Sequence, residues 1–295
     1  MENKLIFGTG SRFGRLTLKK AESLVDFAFK NNIKRFDTGY NYGNFKSQPL
    51  LIKALSKYLK KDREEVNFST KVSPQSFDYI KNCVQETKKQ LSDTFIDNLY
   101  IWGPNESHLE DKNFLKKLSV LKKQKIIKKL SINTHSLNLI NKISTGFYQE
   151  IDGIMIDYNL LRQDRELAIE NCKKNNLEVI AGTVLCQGLL LESPLKIFFR
   201  NRSPFYLGRF IFKKDTRKML SQTRKFRKYM SDHFDCNKKK VPLSFVLNNP
   251  KVDYISIGMM SKKSIKINLA INSAPLNINL TEEIKKVCLS NFQII

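Results

Sequence analysis

Residues 35–43 read RFDTGYNYG, a short strand pattern that ends at an acidic residue and runs into a loop with two glycines. The next two strand-like runs also carry a chemically distinctive residue near their carboxyl ends. VNFSTKV (66–72) contains Lys71, and NLYIWGP (98–104) contains Trp102. An amphipathic stretch of helical spacing follows each run. This repeat decides the fold, because strands that alternate with helices pair in parallel.

The strand–helix pattern extends in both directions along the chain. Strands are predicted at LIFGTG, RFDTG, VNFSTKV, NLYIWGP, IKKLSINT, GIMIDYN, LEVIAGTV and DYISIGM (5–10, 35–39, 66–72, 98–104, 127–134, 153–159, 177–184 and 253–259). Eight such units without a flexible linker predict an α/β fold, a single-domain (β/α)8 TIM barrel over residues 1–295. An open doubly wound sheet is the alternative that periodicity leaves open.

One long irregular stretch is predicted at about 188–215, after the seventh strand. It contains SPLKIFFRNRSPFYLGRF, which is aromatic and basic. Loops that follow barrel strands form the active-site face, so this stretch is a candidate lid over substrate or cofactor. A surface excursion with its own apolar patch is the equal alternative.

Composition places the chain among ordinary globular proteins. Of its 295 residues, 41% are hydrophobic and 27% charged, which is too apolar for a disordered chain. No apolar run approaches the roughly 18 residues that cross a membrane, and the N-terminus does not resemble a secretory signal. We therefore expect a cytoplasmic protein with no membrane partner. Five dispersed cysteines and three scattered histidines predict neither a disulfide framework nor a metal site.

The formal net charge of +24 raises the question of nucleic-acid binding. A basic surface attracts phosphate backbones through counterion release. The lysines, however, are spread over nearly every predicted helix and lack interleaved aromatic residues that could stack on bases. We expect solvated helix faces and no nucleic-acid partner, although the charge would attract anionic substrates and cofactors.

Asp37, Tyr42 and Lys71 are predicted to meet at the carboxyl ends of strands two and three. A tyrosine with its ordinary pKa of about 10 is a poor proton donor and acceptor at neutral pH. A nearby ammonium stabilises the phenolate and lowers that pKa, and an aspartate holds the ammonium and offsets its buried charge. The three residues together predict a tuned acid–base group.

At these residues the sequence resembles the aldo/keto reductase family, and the resemblance runs over nearly the whole chain. The family motif D-T-A/G-x-x-Y-G matches from Asp37 to Gly43. Further matching pieces are GTG near the start, STKV, ETKKQLSDTFIDNLYIWGP, VIAGTVLCQGLL and IGMMSKKSIKINL. The resemblance implies an NAD(P)(H)-dependent oxidoreductase. Hydride would pass between nicotinamide and the carbonyl or alcohol of a small polar or sugar-like substrate, with Tyr42 as general acid/base tuned by Lys71 and Asp37.

The resemblance also implies a cofactor site, with NADP(H) favoured and NAD(H) as the other candidate. Asn133, Thr134 and Met155 occupy the positions that hold the carboxamide. The remaining cofactor positions are Gly10, Thr183, Leu185, Gln187, Gly188, Gly258, Ser261, Lys262 and Asn268. Lys262, Lys263 and Lys266 could bind a 2′-phosphate, which is the reason for favouring NADP(H).

Two positions depart from the family pattern. Trp102 stands where most members have a catalytic histidine, and its indole can donate one hydrogen bond but cannot titrate. Met155 stands where a glutamine is usual and offers only a weak thioether acceptor. These departures support an alternative, a catalytically impaired nucleotide-binding member with a regulatory or partner-binding role. Retention of Asp37, Tyr42 and Lys71 favours the enzyme.

A second dehydrogenase pattern competes locally. GTGSRFG (8–14) has a glycine spacing seen in short-chain dehydrogenases, and residues 42–46 spell Y-x-x-x-K. In that family the Tyr–Lys pair lies on a helix far downstream, whereas here it falls in a loop after the second predicted strand. We therefore do not favour this interpretation.

Overall fold

Eight parallel strands close into a barrel in sequence order in a computed structural model that describes residues 3–201, 214–234 and 238–293. β1 pairs with both β2 and β8, so the sheet has no free edge. The predicted (β/α)8 barrel is confirmed, and the open-sheet alternative is wrong. The strands are β1 (Leu5–Gly8), β2 (Arg35–Asp37), β3 (Asn67–Val72), β4 (Ile96–Trp102), β5 (Ile127–Thr134), β6 (Gly153–Asp157), β7 (Glu178–Gly182) and β8 (Tyr254–Gly258).

Helices surround the strands, and several begin at capping residues that the sequence supplies. The side chains of Thr17, Ser76, Asp111 and Ser136 accept hydrogen bonds from backbone N–H groups of the first helical turn. The helices in the described residues are α1 (Leu18–Lys30), α2 (Tyr42–Phe45), α3 (Ser47–Lys61), α4 (Phe77–Gln90), α5 (Glu106–Glu110), α6 (Lys112–Lys123), α7 (Leu137–Ser144), α8 (Glu166–Lys174), α9 (Pro194–Asn201), α10 (Lys214–His233), α11 (Lys240–Leu247), α12 (Lys262–Ser273) and α13 (Ile278–Asn291).

Side chains fill the inside of the barrel. Ile6, Tyr100, Met155 and Ile180 form a small buried cluster there, against which Tyr254 packs. A larger apolar cluster lies between the strands and the outer helices. The barrel is therefore a packed core and its function must lie at an end.

Charged and aromatic side chains close the amino-terminal end of the barrel. The Arg35 guanidinium lies 3.7 Å from the ring centroid of Tyr254 and donates a 2.7 Å hydrogen bond to its hydroxyl. Lys129 pairs with Glu178 at 2.9 Å. The amino-terminal end is therefore filled by structural contacts. The functional face is expected at the other end of the barrel, where the strands have their carboxyl ends.

The segment after β7 is less irregular than predicted. The stretch at about 188–215 contains α9 and the start of α10, whereas residues 202–213 lie outside the described residues. α11 was not predicted, because its residues Val241–Leu247 are all buried and show no amphipathic period. Within the described part of the chain, no helix combines the length and apolarity needed to cross a bilayer.

Candidate active site

Asp37 and Lys71 form a buried ion pair at the carboxyl ends of β2 and β3. Their exposed fractions are only 4% and 3%, and the ammonium donates to both carboxylate oxygens. Two serines also donate to the carboxylate: Ser69 to Oδ1 at 3.3 Å and Ser256 of β8 to Oδ2 at 3.1 Å. Lys71 makes a further bond to the carbonyl oxygen of Thr38 at 3.4 Å.

These contacts explain how the barrel holds two charges away from water. Desolvation of an ion pair is unfavourable unless its remaining donors and acceptors are satisfied. Here donors from two strands, β3 and β8, surround the Asp37 carboxylate and fix its orientation. Lys71 is accordingly held in place at the barrel mouth.

Tyr42 and Trp102 meet above this pair. Lys71 Nζ lies 5.9 Å from the ring centroid of Tyr42. The ring of Tyr42 meets the indole of Trp102 edge to face, with centroids 5.7 Å apart and planes at 89°. The Tyr42 ring also packs on Gly39, where an added Cβ would come within 2.8 Å of ring carbons. The four predicted catalytic residues are therefore brought together.

A second tyrosine, Tyr100, lies inside the barrel below the ion pair. Lys71 Nζ is 5.3 Å from its ring centroid, and its hydroxyl accepts a hydrogen bond from Asn98 at 3.2 Å. Complete burial, with the Asp37 charge as a lesser cause, raises the pKa of Tyr100 well above its ordinary value. Tyr100 therefore stays neutral, whereas Tyr42 is only half-buried.

Ser69, Tyr100 and Ser256 were not among the predicted site residues. Each lies on a barrel strand, two residues before a predicted site residue. The available signal was strand alternation: Tyr100 lies two residues before Trp102, and Ser69 lies two residues before Lys71.

Non-glycine residues with positive φ fall into two groups in the described part of the chain. Five follow the carboxyl ends of outer helices, where a left-handed residue commonly ends a helix: Asn32, Ser92, Asp93, Lys125 and Asn176. The other five lie on the functional face, with Asn44 and Phe45 after β2 and Thr183, Cys186 and Gln187 after β7. Strained backbone that helix capping does not explain is thus confined to two loops at the site.

The loop after β7 contains four of the predicted cofactor residues. Thr183 and Gln187 have positive φ, as does Gly188 (φ 95°), and Leu185 lies between them. The hydroxyl of Thr183 is buried without a hydrogen-bond partner. The guanidinium of Arg227 on α10 donates to the carbonyl oxygen of Leu189 and so ties this loop to an outer helix.

Asn133, Thr134 and Met155 lie side by side on β5 and β6. Asn133 pairs in register with Met155, and its amide nitrogen donates to the Met155 carbonyl oxygen at 3.0 Å. The amide oxygen of Asn133 is therefore the atom that could accept from a ligand. The Met155 side chain is buried among barrel residues and offers an apolar surface.

The last group of predicted cofactor residues surrounds the start of α12. Ser261 caps this helix by accepting from the backbone N–H of Ser264 at 3.1 Å. Asn268 has no exposed surface, and neither atom of its side-chain amide has a hydrogen-bond partner. Lys262 is exposed and lies over the ring of Phe27.

Gly10 and Gly258 complete the predicted set. An added Cβ at either glycine would meet no atom within 4 Å, so both border open space at the barrel mouth. A ligand could approach the backbone closely at these two points. Together with the unpartnered groups of Thr183 and Asn268, they provide the polar atoms and the room that a dinucleotide needs, so the residues present fit the implied cofactor.

Lys239 is a basic residue beside this group that was not among the predicted site residues. Its ammonium donates to the hydroxyl of Ser264 at 3.1 Å, in the first turn of α12. Burial lowers the pKa of Lys239 to about 8. No sequence signal separated it from its neighbours, because it lies in the run NKKK among other lysines.

Two histidines and one cysteine that follow strand ends have surroundings typical of structural residues. His108 belongs to the cap of α5, His135 Nδ1 lies 3.6 Å from Asp157, and burial raises the pKa of Cys186 to about 12. Across the residues that the structure describes, no three His, Cys, Asp or Glu side chains gather as a metal site would require.

Comparison with known proteins gives a consistent result. The profile of the aldo/keto reductase family matches residues 4–288. No curated protein matches the chain.

Solved structures of similar shape include the aldo-keto reductase AKR11C1 from Bacillus halodurans in its holo form. It has a TM-score of 0.74 and 20% identity, with 96% of this chain and 91% of that chain covered. Its apo form gives a TM-score of 0.72 at 22% identity, with the same coverage. The thermostable aldo-keto reductase Tm1743 in complex with the inhibitor epalrestat gives 0.70 at 18% identity and covers 96% of this chain and 94% of that chain. At these identities the likeness concerns the fold.

Proposed function

Since the chain belongs to the aldo/keto reductase family, we propose that it is an NAD(P)(H)-dependent oxidoreductase that interconverts the carbonyl and alcohol forms of a small polar or sugar-like substrate. One observation carries the proposal: the buried Asp37–Lys71 pair lies directly beneath Tyr42 and Trp102 at the barrel mouth. A module that only bound a nucleotide would have no chemical need for this arrangement.

Tyr42 is the proposed general acid/base. When bound, the nicotinamide supplies or accepts the hydride at the substrate carbon. Tyr42 gives a proton to the substrate oxygen in reduction and removes it in oxidation. Lys71 provides the positive charge that stabilises the tyrosinate, and Asp37 keeps that charge in place.

Trp102 is the proposed second hydrogen-bond donor to the substrate oxygen. Its indole N–H can orient a carbonyl but cannot donate a proton to it, so proton transfer rests on Tyr42 alone. The edge-to-face contact with Tyr42 fixes the position of both rings.

The cofactor would be held by the loops after β5, β7 and β8. Asn133 and Thr134 would contact the carboxamide, with Met155 below them, and the loop from Thr183 to Gly188 would contact the pyrophosphate through backbone N–H groups. Asn268 would use its unpartnered amide for the adenosine end. Two further cofactor contacts are proposed at Ser261 and Gly10.

NADP(H) is the proposed form of the cofactor. Lys262, Lys263 and Lys266 lie in the first turns of α12, and Lys239 donates to Ser264 in the same helix. A 2′-phosphate carries negative charge, so this group of cations would favour it over a ribose hydroxyl.

Two measurements test the proposal. Because Trp102 is the only tryptophan, titration with NADPH and NADH should quench the protein fluorescence, more strongly at a given concentration with NADPH. Reduction of a panel of carbonyl compounds should fall by at least about 10²-fold in Tyr42→Phe, which keeps the ring but removes the proton. Activity that is indifferent to this substitution would overturn the mechanism.

The second candidate, a catalytically impaired nucleotide-binding member, is favoured by Trp102 at the position of the family histidine. It predicts the same quenching by NADPH with no Tyr42-dependent turnover on any carbonyl compound. The two measurements therefore separate the enzyme from the binding protein, and absence of quenching with either nucleotide contradicts both.

A further inference from the structure

The first turn of α3 contains a buried serine that joins two loops of the functional face. Ser47 has no exposed surface. Its hydroxyl donates to the carbonyl oxygen of Gly10 at 3.0 Å and accepts from the backbone N–H of Gly14 at 3.0 Å. Both partners belong to the loop after β1, whereas Ser47 follows the turn that begins at Tyr42. A hydroxyl suits this position because one atom both donates and accepts.

Two glycines allow these loops to approach each other closely. At Gly14 an added Cβ would come within 2.9 Å of the hydroxyl oxygen and the backbone nitrogen of Ser47. At Gly43, the residue directly after Tyr42, it would come within 2.7 Å of the Ser47 hydroxyl and 2.8 Å of the Ser11 carbonyl oxygen. The backbone that follows Tyr42 therefore lies directly against Ser47 and the loop after β1.

The same contact accounts for the glycine spacing of GTGSRFG (8–14), which resembles a pattern of another dehydrogenase family. Gly10 borders open space at the barrel mouth, and Gly14 packs against Ser47. The last glycine of this pattern thus serves a contact with the turn that contains Tyr42.

The two loops differ in how firmly other bonds hold them. The loop after β1 is also bonded to β2, because the N–H of Thr9 donates to the carbonyl oxygen of Asp37 at 3.0 Å. In the turn, the N–H of Lys46 donates to the carbonyl oxygen of Gly43 at 3.3 Å. That bond is long and joins residues of the turn to each other. The position of the turn therefore depends more on Ser47 than the position of the loop does.

We propose that Ser47 is a positioning residue, which holds Tyr42 above the Asp37–Lys71 pair by fixing its turn to the loop after β1. The proposal rests on the proposed function and adds to it a residue that acts through Tyr42. Because Gly10 belongs to the same contact and borders the proposed cofactor site, Ser47 also sets the position of Tyr42 relative to the cofactor. A small displacement of an acid/base group slows the reaction more than it weakens binding.

Two variants disturb this contact from its two sides. Ser47→Ala removes both hydrogen bonds, and Gly14→Ala places a Cβ against Ser47 from the opposite loop. Ser244→Ala is the matched control. The Ser244 hydroxyl also belongs to a residue without exposed surface and accepts from the backbone N–H of Leu276 at 2.9 Å, between α11 and the segment after α12.

Each protein is assayed for NADPH-dependent reduction of the carbonyl compound that the wild type reduces best, and its thermal midpoint is measured. Quenching of Trp102 fluorescence by acrylamide, without nucleotide, gives a readout that needs no turnover. The ring of Tyr42 packs edge to face against the indole, so displacement of Tyr42 should change the access of acrylamide. Tyr42→Ala gives the quenching expected when this ring is absent.

For Ser47→Ala and Gly14→Ala we expect kcat to fall about tenfold, with KM for the carbonyl compound within about twofold of the wild type. Acrylamide quenching of Trp102 should rise toward that of Tyr42→Ala. Ser244→Ala should lower the thermal midpoint by an amount similar to Ser47→Ala, with the kcat and the quenching of the wild type.

Wild-type quenching of Trp102 in both variants would overturn the proposal. A loss of kcat no larger than that of Ser244→Ala, at an equal loss of thermal midpoint, would also overturn it, because it would show a structural role. If neither Ser47→Ala nor Gly14→Ala folds, the contact serves the fold and the proposal is equally wrong. Absence of turnover in the wild type, with raised quenching in both variants, would instead overturn the proposed function alone.

Discussion

Removing the cation of the buried ion pair should be strongly destabilising. Lys71→Met leaves the Asp37 carboxylate at the barrel mouth without its counter-charge. Loss of one partner of a buried pair typically costs about 3–5 kcal/mol. The hydrogen bonds from Ser69 and Ser256 remain, so we expect the lower end of that range, about 3 kcal/mol.

Removing both charges should restore most of that stability. In the double variant Lys71→Met/Asp37→Leu, two apolar side chains of similar size replace the pair, a change that is often neutral or stabilising. Ser69 keeps its bond to the Phe36 carbonyl oxygen, and the bond from Lys71 to the Thr38 carbonyl oxygen is long, at 3.4 Å. The main further loss is the bond from Ser256, at about 1 kcal/mol. The double variant should therefore lie within about 1 kcal/mol of the wild type.

Urea unfolding at pH 7, followed by circular dichroism, measures all four corners of this double-mutant cycle. All three variants should lose carbonyl reduction while they remain folded. A Lys71→Met protein within about 1 kcal/mol of the wild type would refute the reasoning. Additive losses in the double variant would refute it equally, because they would mean that the two charges do not depend on each other.

Three further predictions concern Gly39 beside Tyr42 and two residues near the start of α12, Lys239 and Asn268. Gly39→Ala should lower kcat by at least about tenfold with a smaller effect on the thermal midpoint, since its Cβ would come within 2.8 Å of the Tyr42 ring; unchanged kinetics would show that Tyr42 can move without loss. The dissociation constant for NADP, measured by fluorescence, should rise several-fold from about pH 7 to about pH 9 as Lys239, with its pKa lowered to about 8, loses its charge. The dissociation constant for NAD should not change over this pH range. In Lys239→Met, NADP and NAD should show the same pH dependence. Asn268→Leu should stabilise the cofactor-free protein by about 1–2 kcal/mol, because it removes two buried polar atoms without partners. The same variant should bind NADPH more weakly; if it is less stable than the wild type, the amide has partners in solution.

The barrel could be predicted because its strands and helices differ in period and alternate regularly. α11 could not be predicted, because a helix that is buried on all sides lacks the amphipathic period that reveals the other helices. The contacts at the amino-terminal end of the barrel could not be predicted either, because the pairing of Arg35 with Tyr254 joins residues more than two hundred positions apart. Such contacts depend on barrel closure and not on local pattern.

Some residues of the candidate site could likewise be predicted from the sequence, and others could not. Asp37, Tyr42 and Lys71 could be predicted because each lies at the carboxyl end of a strand or in the loop that follows it, and Trp102 because it stands where the resembling family has a catalytic histidine. Ser256 could not, since its contact with Asp37 on β2 depends on the pairing of β8 with β1. The strain at Phe45 was also hidden: glycine is the residue that signals a left-handed turn, and here a phenylalanine occupies that conformation.

The pairing of β1 with β8 has a consequence for the order of events as the chain is made. Synthesis delivers the amino-terminal strands first, yet the partner of β1 begins only at Tyr254. Until then one edge of the nascent sheet has unpaired backbone groups that can join strands of other chains. The Asp37 carboxylate also lacks its bond from Ser256 during that interval. Both closure of the barrel and completion of the charged site therefore wait for β8, and a chain that stalls before it keeps an open sheet edge that favours aggregation.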